Sequence, residues 1–271
     1  MATLTTHSQF PEASRDAAYT RSYRTIRLVV GFLGILLPLI FILGEALFLK
    51  GGVHVRGSLS AYYHSPMQDI FVAGLSVIGF LLATYMAGEV RSWDFWVSLV
   101  AGIAVLGVVF FPTNRSGLAK GAPLCGSSPQ PPSCSFVEQA LGEHQTAIIH
   151  AVCAITFILG LAVMSLLFGL SEVRTAGERA NATGKPAPGR FRNPVLFYLH
   201  CGCAVVIVTA GIWAFWGAGI GQLTPLYIGE VAAVWSFGLS WLVAGFNLTA
   251  PNRHEPAVAA SEGPQPVVSA V

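Results

Sequence analysis

The stretch that decides the fold is the first long apolar run, Ile26–Leu49, which reads IRLVVGFLGILLPLIFILGEALFL. A helix of about 20 apolar residues crosses the roughly 30 Å hydrocarbon core of a bilayer. Five more runs of this kind follow along the chain: Ile70–Gly88, Phe95–Phe111, Ala147–Leu170, Val195–Trp216 and Leu226–Phe246. The runs lack the period-two alternation that is typical of membrane β-barrels. We therefore expect an all-α, polytopic membrane protein built as a bundle of six transmembrane helices.

The composition agrees with a membrane protein. Of the 271 residues, 54% are hydrophobic and only 10% are charged, whereas soluble domains carry about 25% charged residues. The first apolar run is too long for the core of a cleavable signal peptide, so we expect it to remain as a membrane span. No segment resembles a nucleic-acid-binding patch. We expect membrane lipids as partners and no nucleic acid, and the sequence leaves the oligomeric state open.

The positive charges predict an orientation, because loops on the cytoplasmic side are enriched in Lys and Arg. With the N-terminus inside, eleven Lys and Arg residues fall in inner segments and four in outer segments. An even number of spans returns the C-terminus to the inside. We expect both termini in the cytoplasm and the protein in the inner membrane of a bacterial cell.

These assignments divide the chain into three parts. Residues 1–25 form a cytoplasmic N-terminal segment and residues 26–249 form the transmembrane domain. Residues 250–271 are rich in Pro, Ala and Ser, so we expect a disordered cytoplasmic tail.

Two of the five cysteines lie in a loop that the charge rule places outside. Cys125 and Cys134 are nine positions apart, and this loop contains no histidine that would favour a metal site. Because disulfides persist in oxidising compartments, we predict a Cys125–Cys134 disulfide.

Helix starts are indicated at four places. Ser65-Pro66-Met67-Gln68 and Ser135-Phe136-Val137-Glu138 have the pattern of capping boxes, in which a Ser and a Glu or Gln cap the first turn. Asn193-Pro194 and Thr224-Pro225 place a capping residue before a proline at the first helical position. We expect the fourth membrane helix to start at Ser135, so that its first two turns lie outside the membrane.

The densest patch of polar side chains is SLSAYYHSPMQD, residues 58–69, between the first two apolar runs. The predicted orientation brings it to the same membrane surface as ionisable residues from other spans. Such residues cost about 2.5–3.5 kcal/mol to insert, so they usually face the bundle interior and find partners. We therefore predict an outward-facing polar pocket formed by Glu45, Ser60, Tyr63, His64, Asp69, His150 and Glu230.

Some of these residues, and two further histidines, also have a purely structural interpretation. Glu45 and Glu230 need partners inside apolar runs, and a His or Arg from a neighbouring span would satisfy them. Asp69 lies in the first turn of the second span, where its negative charge suits the helix dipole. His144 has the position of an ordinary surface histidine, and His200 that of a core histidine bonded to a neighbouring helix.

The run SLSAYYHSPMQDIFVAG, the FFPTNR that closes the third span, and a Glu-x-x-x-x-Trp in the sixth (Glu230, Trp235) carry a resemblance. The chain resembles bacterial six-span membrane proteins that form a domain family of unknown function. More distantly, it is similar to the DRAM-type six-span family, which includes autophagy modulators and relatives implicated in lipid organisation. That resemblance implies a His opening span four, here His150, and a Glu in span six, here Glu230.

A weaker resemblance concerns Ser60-x-x-x-His64 followed by Asp69. This pattern is similar to part of the CREST membrane hydrolases, which bind zinc through three histidines assisted by a Ser and an Asp. Those proteins have seven spans and a closing His-x-x-x-His that is absent here. His144 and His150 are six positions apart, about 120° around a helix, so a regular helix would not present both to one ion.

Three functions follow as hypotheses. The first is a pocket that binds or senses a lipid or other amphiphile. The second is a metal-dependent lipid hydrolase, with zinc held by His64 and His150 and with Asp69 or Glu230 as the catalytic carboxylate. The third is a proton-coupled transporter that uses Glu45 and Glu230 as proton carriers. The residues do not decide whether the protein is an enzyme.

Overall fold

The computed structural model describes residues 12–48, 55–86, 90–115, 118, 121–128, 131, 134–183 and 191–248. The regular elements in these residues are helices. They are α1 (Glu12–Phe48), α2 (Gln68–Thr84), α3 (Trp93–Phe110), α4 (Phe136–Leu141), α5 (Glu143–Thr183), α6 (Pro194–Trp216), α7 (Pro225–Phe246) and a short 3-10 helix (Ser60–His64) between α1 and α2. The prediction of an all-α chain is confirmed.

Among the described helices, five are long and apolar enough to cross a membrane: α1, α3, α5, α6 and α7. The apolar helix α2 is shorter, with 17 residues. The protein is therefore a helical, multi-pass membrane protein. The first helix begins at Glu12 and continues through Ile26 without a break, so the expected boundary at residue 25 is not a helix boundary. The predicted tail, 250–271, lies outside the described residues.

The five long helices and α2 together form a closed ring. Going around it, α1 packs on α2, α2 on α3, α3 on α5, α5 on α6, α6 on α7, and α7 returns to α1. Small residues allow close packing at the crossings. A Cβ added at Gly31 of α1 would lie 2.8 Å from Leu242 Cγ of α7. Most neighbours in this ring are also neighbours in sequence, as short connections favour.

Two of the predicted helix starts are confirmed in detail. The Asn193 side chain accepts hydrogen bonds from the backbone N–H groups of Val195 and Leu196 at the start of α6. The Thr224 hydroxyl accepts one from Tyr227 N at the start of α7. Each cap provides a partner for N–H groups that the first turn of a helix leaves unsatisfied.

The other two starts differ from the prediction. Ser135 and Glu138 do form a capping box, but the helix that they open, α4, has only six residues and is buried at Glu138. Gly142, with φ of 83°, then interrupts the chain before α5 begins at Glu143. The expectation of one helix from Ser135 is therefore wrong, because a backbone in the left-handed region cannot continue an α-helix.

The predicted capping box at Ser65 is also wrong. Helix α2 begins at Gln68, and its preceding residue, Met67, makes no side-chain cap. The Ser65 hydroxyl instead donates to Tyr62 O at 2.7 Å and accepts from Met67 N at 3.0 Å. These bonds turn the chain from the 3-10 helix into α2.

The bundle has two different ends. We call the one that carries residues 55–67 and the Cys125–Cys134 disulfide the disulfide end; the two Cα atoms of that disulfide are 5.6 Å apart. At the opposite end, Arg27 donates to the Tyr85 hydroxyl at 2.8 Å and to Ala244 O at 3.2 Å. Its guanidinium lies 4.6 Å from the ring centre of Phe168. Aromatic rings and one arginine thus fill the ring of helices at this opposite end.

Candidate functional site

The polar segment between α1 and α2 lies across the start of α7 at the disulfide end. The Thr224 hydroxyl donates to Gly57 O at 2.5 Å, and the backbone N–H of Leu59 donates to a carboxylate oxygen of Glu230 at 2.6 Å. The Ser58 hydroxyl accepts from Ala61 N at 3.0 Å, which stabilises the first turn of the 3-10 helix. The segment is therefore positioned by α7, and Glu230 is one of the groups that position it.

Glu45, near the end of α1, is paired with an arginine from the same segment. Its carboxylate accepts from Arg56 Nη2 at 2.5 Å and from Arg56 Nε at 2.9 Å. Glu45 is 1% exposed, and Arg56 is 26% exposed. This two-point pair satisfies the carboxylate and ties the segment to α1. The partner comes from a loop residue, not from a neighbouring span.

Two adjacent tyrosines of the 3-10 helix, Tyr62 and Tyr63, have different neighbours. Tyr62 is fully buried, and its ring stacks on Phe41 with centres 5.1 Å apart. Burial raises the pKa of the Tyr62 phenol, and the Glu45 carboxylate raises it further. Burial likewise raises the pKa of Tyr63, whose ring meets His64 edge-on at 5.1 Å. Both phenols therefore stay protonated at neutral pH.

His64 and His150 bind the same short stretch of backbone where the chain leaves α3. His64 Nε2 lies 2.6 Å from Thr113 O, and His150 Nδ1 lies 2.6 Å from Phe111 O. Carbonyl oxygens only accept, so each of these ring nitrogens carries a proton and donates it. The two histidines therefore connect residues 110–115 (FFPTNR) by hydrogen bonds to the polar segment on one side and to α5 on the other.

A cavity of about 450 Å³ opens beside these groups. Its wall is formed by α5, α6 and the first turns of α7, together with residues of the polar segment. Most of the lining is apolar, as is typical of small-molecule sites in proteins. The polar lining residues are Ser58, Ser60, Thr113, His150 and Glu230. A smaller cavity of about 80 Å³ in the centre of the ring shares Ser60 and Glu230 with it.

The large cavity opens toward the lipid-facing surface between α5 and α6. Several residues that line it are also exposed, among them Leu159 of α5 at 54% and Ile212 of α6 at 52%. The two helices are close near the opposite end, where a Cβ added at Gly169 would lie 3.0 Å from Cys201 Sγ. Nearer the disulfide end, a Cβ at Gly211 would have Ile158 Cγ2 as its nearest neighbour, at 4.0 Å. The contact between the two helices is therefore looser at Gly211 than at Gly169.

The structure brings three of the seven predicted pocket residues to this cavity: Ser60, His150 and Glu230. The other four, Glu45, Tyr63, His64 and Asp69, are absent from its described lining. Asp69 is exposed in the first turn of α2, where its charge suits the helix dipole.

Two further histidines have the surroundings that the sequence predicted. His144 is exposed at the start of α5. His200 is buried, with Nδ1 2.8 Å from the Ser240 hydroxyl of the neighbouring helix α7. The expectation of a core histidine bonded across helices is confirmed.

Within the described ranges, no three His, Cys, Asp or Glu side chains are placed to share one metal ion. The two predicted ligands, His64 and His150, each use one ring nitrogen for a backbone carbonyl. In each ring, the other nitrogen remains for a ligand bond. The zinc-dependent hydrolase stays a prediction, and so does the transporter, in which Glu45 would have to release Arg56 to carry a proton.

Sequence reasoning missed a second buried ion pair at the disulfide end. Glu143, 4% exposed, accepts from Arg115 Nη2 at 3.0 Å and from the backbone N–H of Arg115 at 2.9 Å. It also accepts from Cys125 N at 3.2 Å. The available signal was that Arg56 and Arg115 are two of only four cations predicted for this surface, although no sequence pattern specifies which carboxylate each one pairs with.

Comparisons with protein-family models, with curated proteins and with solved structures find no match for this chain. The resemblances to the bacterial six-span proteins, the DRAM-type family and the CREST hydrolases therefore stay predictions. The function has to be argued from the site.

Proposed function

We propose that this chain is a six-span protein of a bacterial inner membrane that binds or senses a lipid or other amphiphile in the cavity between α5, α6 and α7. The observation that carries the proposal is the shape and lining of that cavity. Its polar groups lie at the disulfide end, and its remaining wall is apolar and reaches the lipid-facing surface. An amphiphile has the same division into a polar and an apolar part.

The sixth span in this proposal is α2. At about 1.5 Å per residue, its 17 residues are roughly 25 Å long, a few ångströms less than the hydrocarbon core. A short helix is accommodated by local thinning of the bilayer at modest cost. Its place in the ring, between α1 and α3, supports the assignment because both neighbours are candidate spans.

The proposed orientation puts the disulfide end outside the cytoplasm and both termini inside. The disulfide supports it, because such bonds persist in oxidising compartments. The charges support it as well. The described arginines of the disulfide end, Arg56 and Arg115, are both paired with buried carboxylates. At the opposite end Arg192 is paired with Glu172 in the same way, whereas Arg21, Arg24 and Arg91 are exposed.

Ligand retention tests the proposal. The full chain is extracted into a mild detergent, and native mass spectrometry counts the amphiphiles that stay bound. Ala154, which lines both cavities, is replaced by Trp to fill the space. Val152→Trp is the matched control, because Val152 is on the same helix, is 60% exposed and is not among the cavity's lining residues.

We expect the wild-type chain and Val152→Trp to retain one amphiphile per chain and Ala154→Trp to retain none. Folding of each variant is checked by its thermal unfolding midpoint. A folded Ala154→Trp protein that retains as much amphiphile as the wild type would overturn the proposal. So would a wild-type protein that retains none after incubation with lipid.

A further inference from the structure

We propose that the ligand of this cavity is a single-chain amphiphile with a positively charged ammonium head group, which Glu230 binds. The inference rests on the proposed function and adds the chemical class of the ligand. It is carried by the charge of the lining, the hydrogen bonds that Glu230 makes, and the dimensions of the apolar wall.

The lining of the cavity is acidic. Glu230 supplies a carboxylate, and within the part of the chain that the structure describes no Lys or Arg lines the cavity. The two described arginines of the disulfide end do not pair with the Glu230 carboxylate, since Arg56 is bonded to Glu45 and Arg115 to Glu143. A phosphate or carboxylate head group would therefore meet an acidic side chain and no Lys or Arg cation, which disfavours binding.

Glu230 has few partners for a carboxylate in a candidate membrane span. Among the described residues, the backbone N–H of Leu59 is the one donor to it, at 2.6 Å on Oε2. An ionised carboxylate has about four acceptor sites, and in a membrane span it is costly without a cation. Glu230 faces both cavities. A ligand ammonium would supply the missing counter-charge.

The other polar groups around the cavity can accept hydrogen bonds from an ammonium group. The Ser60 hydroxyl has no protein partner among the residues that the structure covers, and it can accept or donate a hydrogen bond. His150 donates its Nδ1 proton to Phe111 O, so in the neutral imidazole Nε2 is an acceptor. A primary ammonium has three N–H donors and no acceptor, which matches a set of acceptors.

The dimensions favour one alkyl chain. From His150 to Ala162 the cavity follows α5 for twelve residues, which is about 18 Å at 1.5 Å per residue. This length is close to one leaflet, half of the roughly 30 Å hydrocarbon core. The volume of about 450 Å³ is at the lower end of the roughly 300–1,000 Å³ of small-molecule pockets. One chain therefore fits better than two.

Head-group competition tests the inference. The full chain in lipid nanodiscs is loaded with a fluorescent single-chain alcohol, which is displaced by dodecylamine, dodecanol or dodecyl phosphate. Displacement is measured for the wild type and for Glu230→Gln. Asp69→Asn is the matched control, since Asp69 is an acidic residue at the same end that is exposed and absent from the cavity lining. Ala154→Trp measures displacement that does not depend on the cavity.

We expect the amine to displace the alcohol at least about tenfold better than dodecanol does, because a hydrogen bond to a charged group is stronger than one between neutral groups. Dodecyl phosphate should be the weakest. Glu230→Gln should abolish the preference for the amine, and Asp69→Asn should keep it. A wild-type protein that treats amine and alcohol alike, or prefers the phosphate, would overturn the inference even if Glu230→Gln did not fold.

The two proposals fail in different ways. If the fluorescent alcohol binds the wild type but not Ala154→Trp, and the amine has no advantage, the amphiphile cavity stands and the ammonium head group is wrong. If the alcohol binds neither protein, or binds both equally, the cavity itself is not a binding site and both proposals fail.

Discussion

At the scale of single residues, the carboxylates of Glu45, Glu143 and Glu230 at the disulfide end have different surroundings. Glu45 and Glu143 each accept at least two hydrogen bonds from one arginine, and both side chains are less than 5% exposed. Glu230 has a backbone N–H and an open cavity instead. The first two therefore have structural roles that the contacts explain, and the third is the one that remains available to a ligand.

The Glu45–Arg56 pair leads to a stability prediction. Arg56→Gln leaves the buried Glu45 carboxylate without its cation, which should cost about 3–5 kcal/mol of unfolding free energy. The double variant Glu45→Gln/Arg56→Gln should cost much less, because neither charge is then left unpaired. Thermal unfolding in detergent measures both. Equal losses in the single and double variants would show that the pair does not stabilise the segment.

A pH prediction concerns Tyr62. Its raised pKa means that the folded state favours the neutral phenol. This contribution is fully present below the ordinary tyrosine pKa of about 10 and is lost as the pH rises through the folded-state pKa. Between pH 9 and pH 11 the wild type should therefore lose more stability than Tyr62→Phe. Parallel unfolding curves for the two proteins across that range would contradict the burial argument.

At the scale of elements, the sequence predicted the membrane helices well because their signal is long and strong. Caps at Asn193 and Thr224 were also predictable, since each is followed by a proline and then directly by a long apolar run. The break at Gly142 and the start of α2 without a side-chain cap were not predictable from the sequence. Ser135 and Ser65 carry the same motif, and only contacts made elsewhere decide which one caps a helix.

The candidate site was predictable in part for the same reason. Residues Ser60, His150 and Glu230 come from three distant parts of the chain, and the alternation of spans predicts that they share one end of the bundle. Which of the polar residues face a common cavity depends on helix rotation. Glu45 is paired with Arg56, and His64 is hydrogen-bonded to the Thr113 carbonyl. No sequence pattern specifies those pairings.

Close packing of the ring gives a prediction for the helix crossings. A Cβ at Gly102 of α3 would lie 2.6 Å from Ala83 N and 2.7 Å from Gly79 O, both backbone atoms that cannot move aside easily. Gly102→Ala should therefore destabilise the protein by about 1–3 kcal/mol. Thermal unfolding checks the loss.

Gly202 of α6 is the control for this substitution, because a Cβ there would meet no atom within 4 Å. Gly202→Ala should be neutral or stabilising by up to about 1 kcal/mol, since Ala has the higher helix propensity. A Gly102→Ala protein as stable as Gly202→Ala would mean that α2 and α3 are not packed as described.

At the scale of the whole molecule, the ring is filled at one end and open at the other. Arg27, Tyr85, Phe168 and Trp241 pack together at the opposite end, while the cavity lies at the disulfide end. This asymmetry supports the proposal of a ligand that enters the cavity from one leaflet.

The proposed orientation can be measured independently of any ligand. A cysteine introduced at His144, which is exposed at the disulfide end, should react in whole cells with a thiol reagent that does not cross the inner membrane. A cysteine at Arg91, exposed at the opposite end, should react only after the membrane is opened. The reverse pattern would invert the orientation, and labelling of both in intact cells would contradict an odd number of crossings between them.

The central claim is that an amphiphile lies between α5, α6 and α7, and photo-crosslinking tests it most directly. A single-chain amphiphile with a photoreactive group in its tail is bound to the full chain in a membrane, and the labelled peptides are identified by mass spectrometry. We predict labels concentrated on 147–162 and 207–216 and lost in Ala154→Trp. Labels spread evenly over the exposed residues of all helices, with the same pattern in Ala154→Trp, would contradict the account.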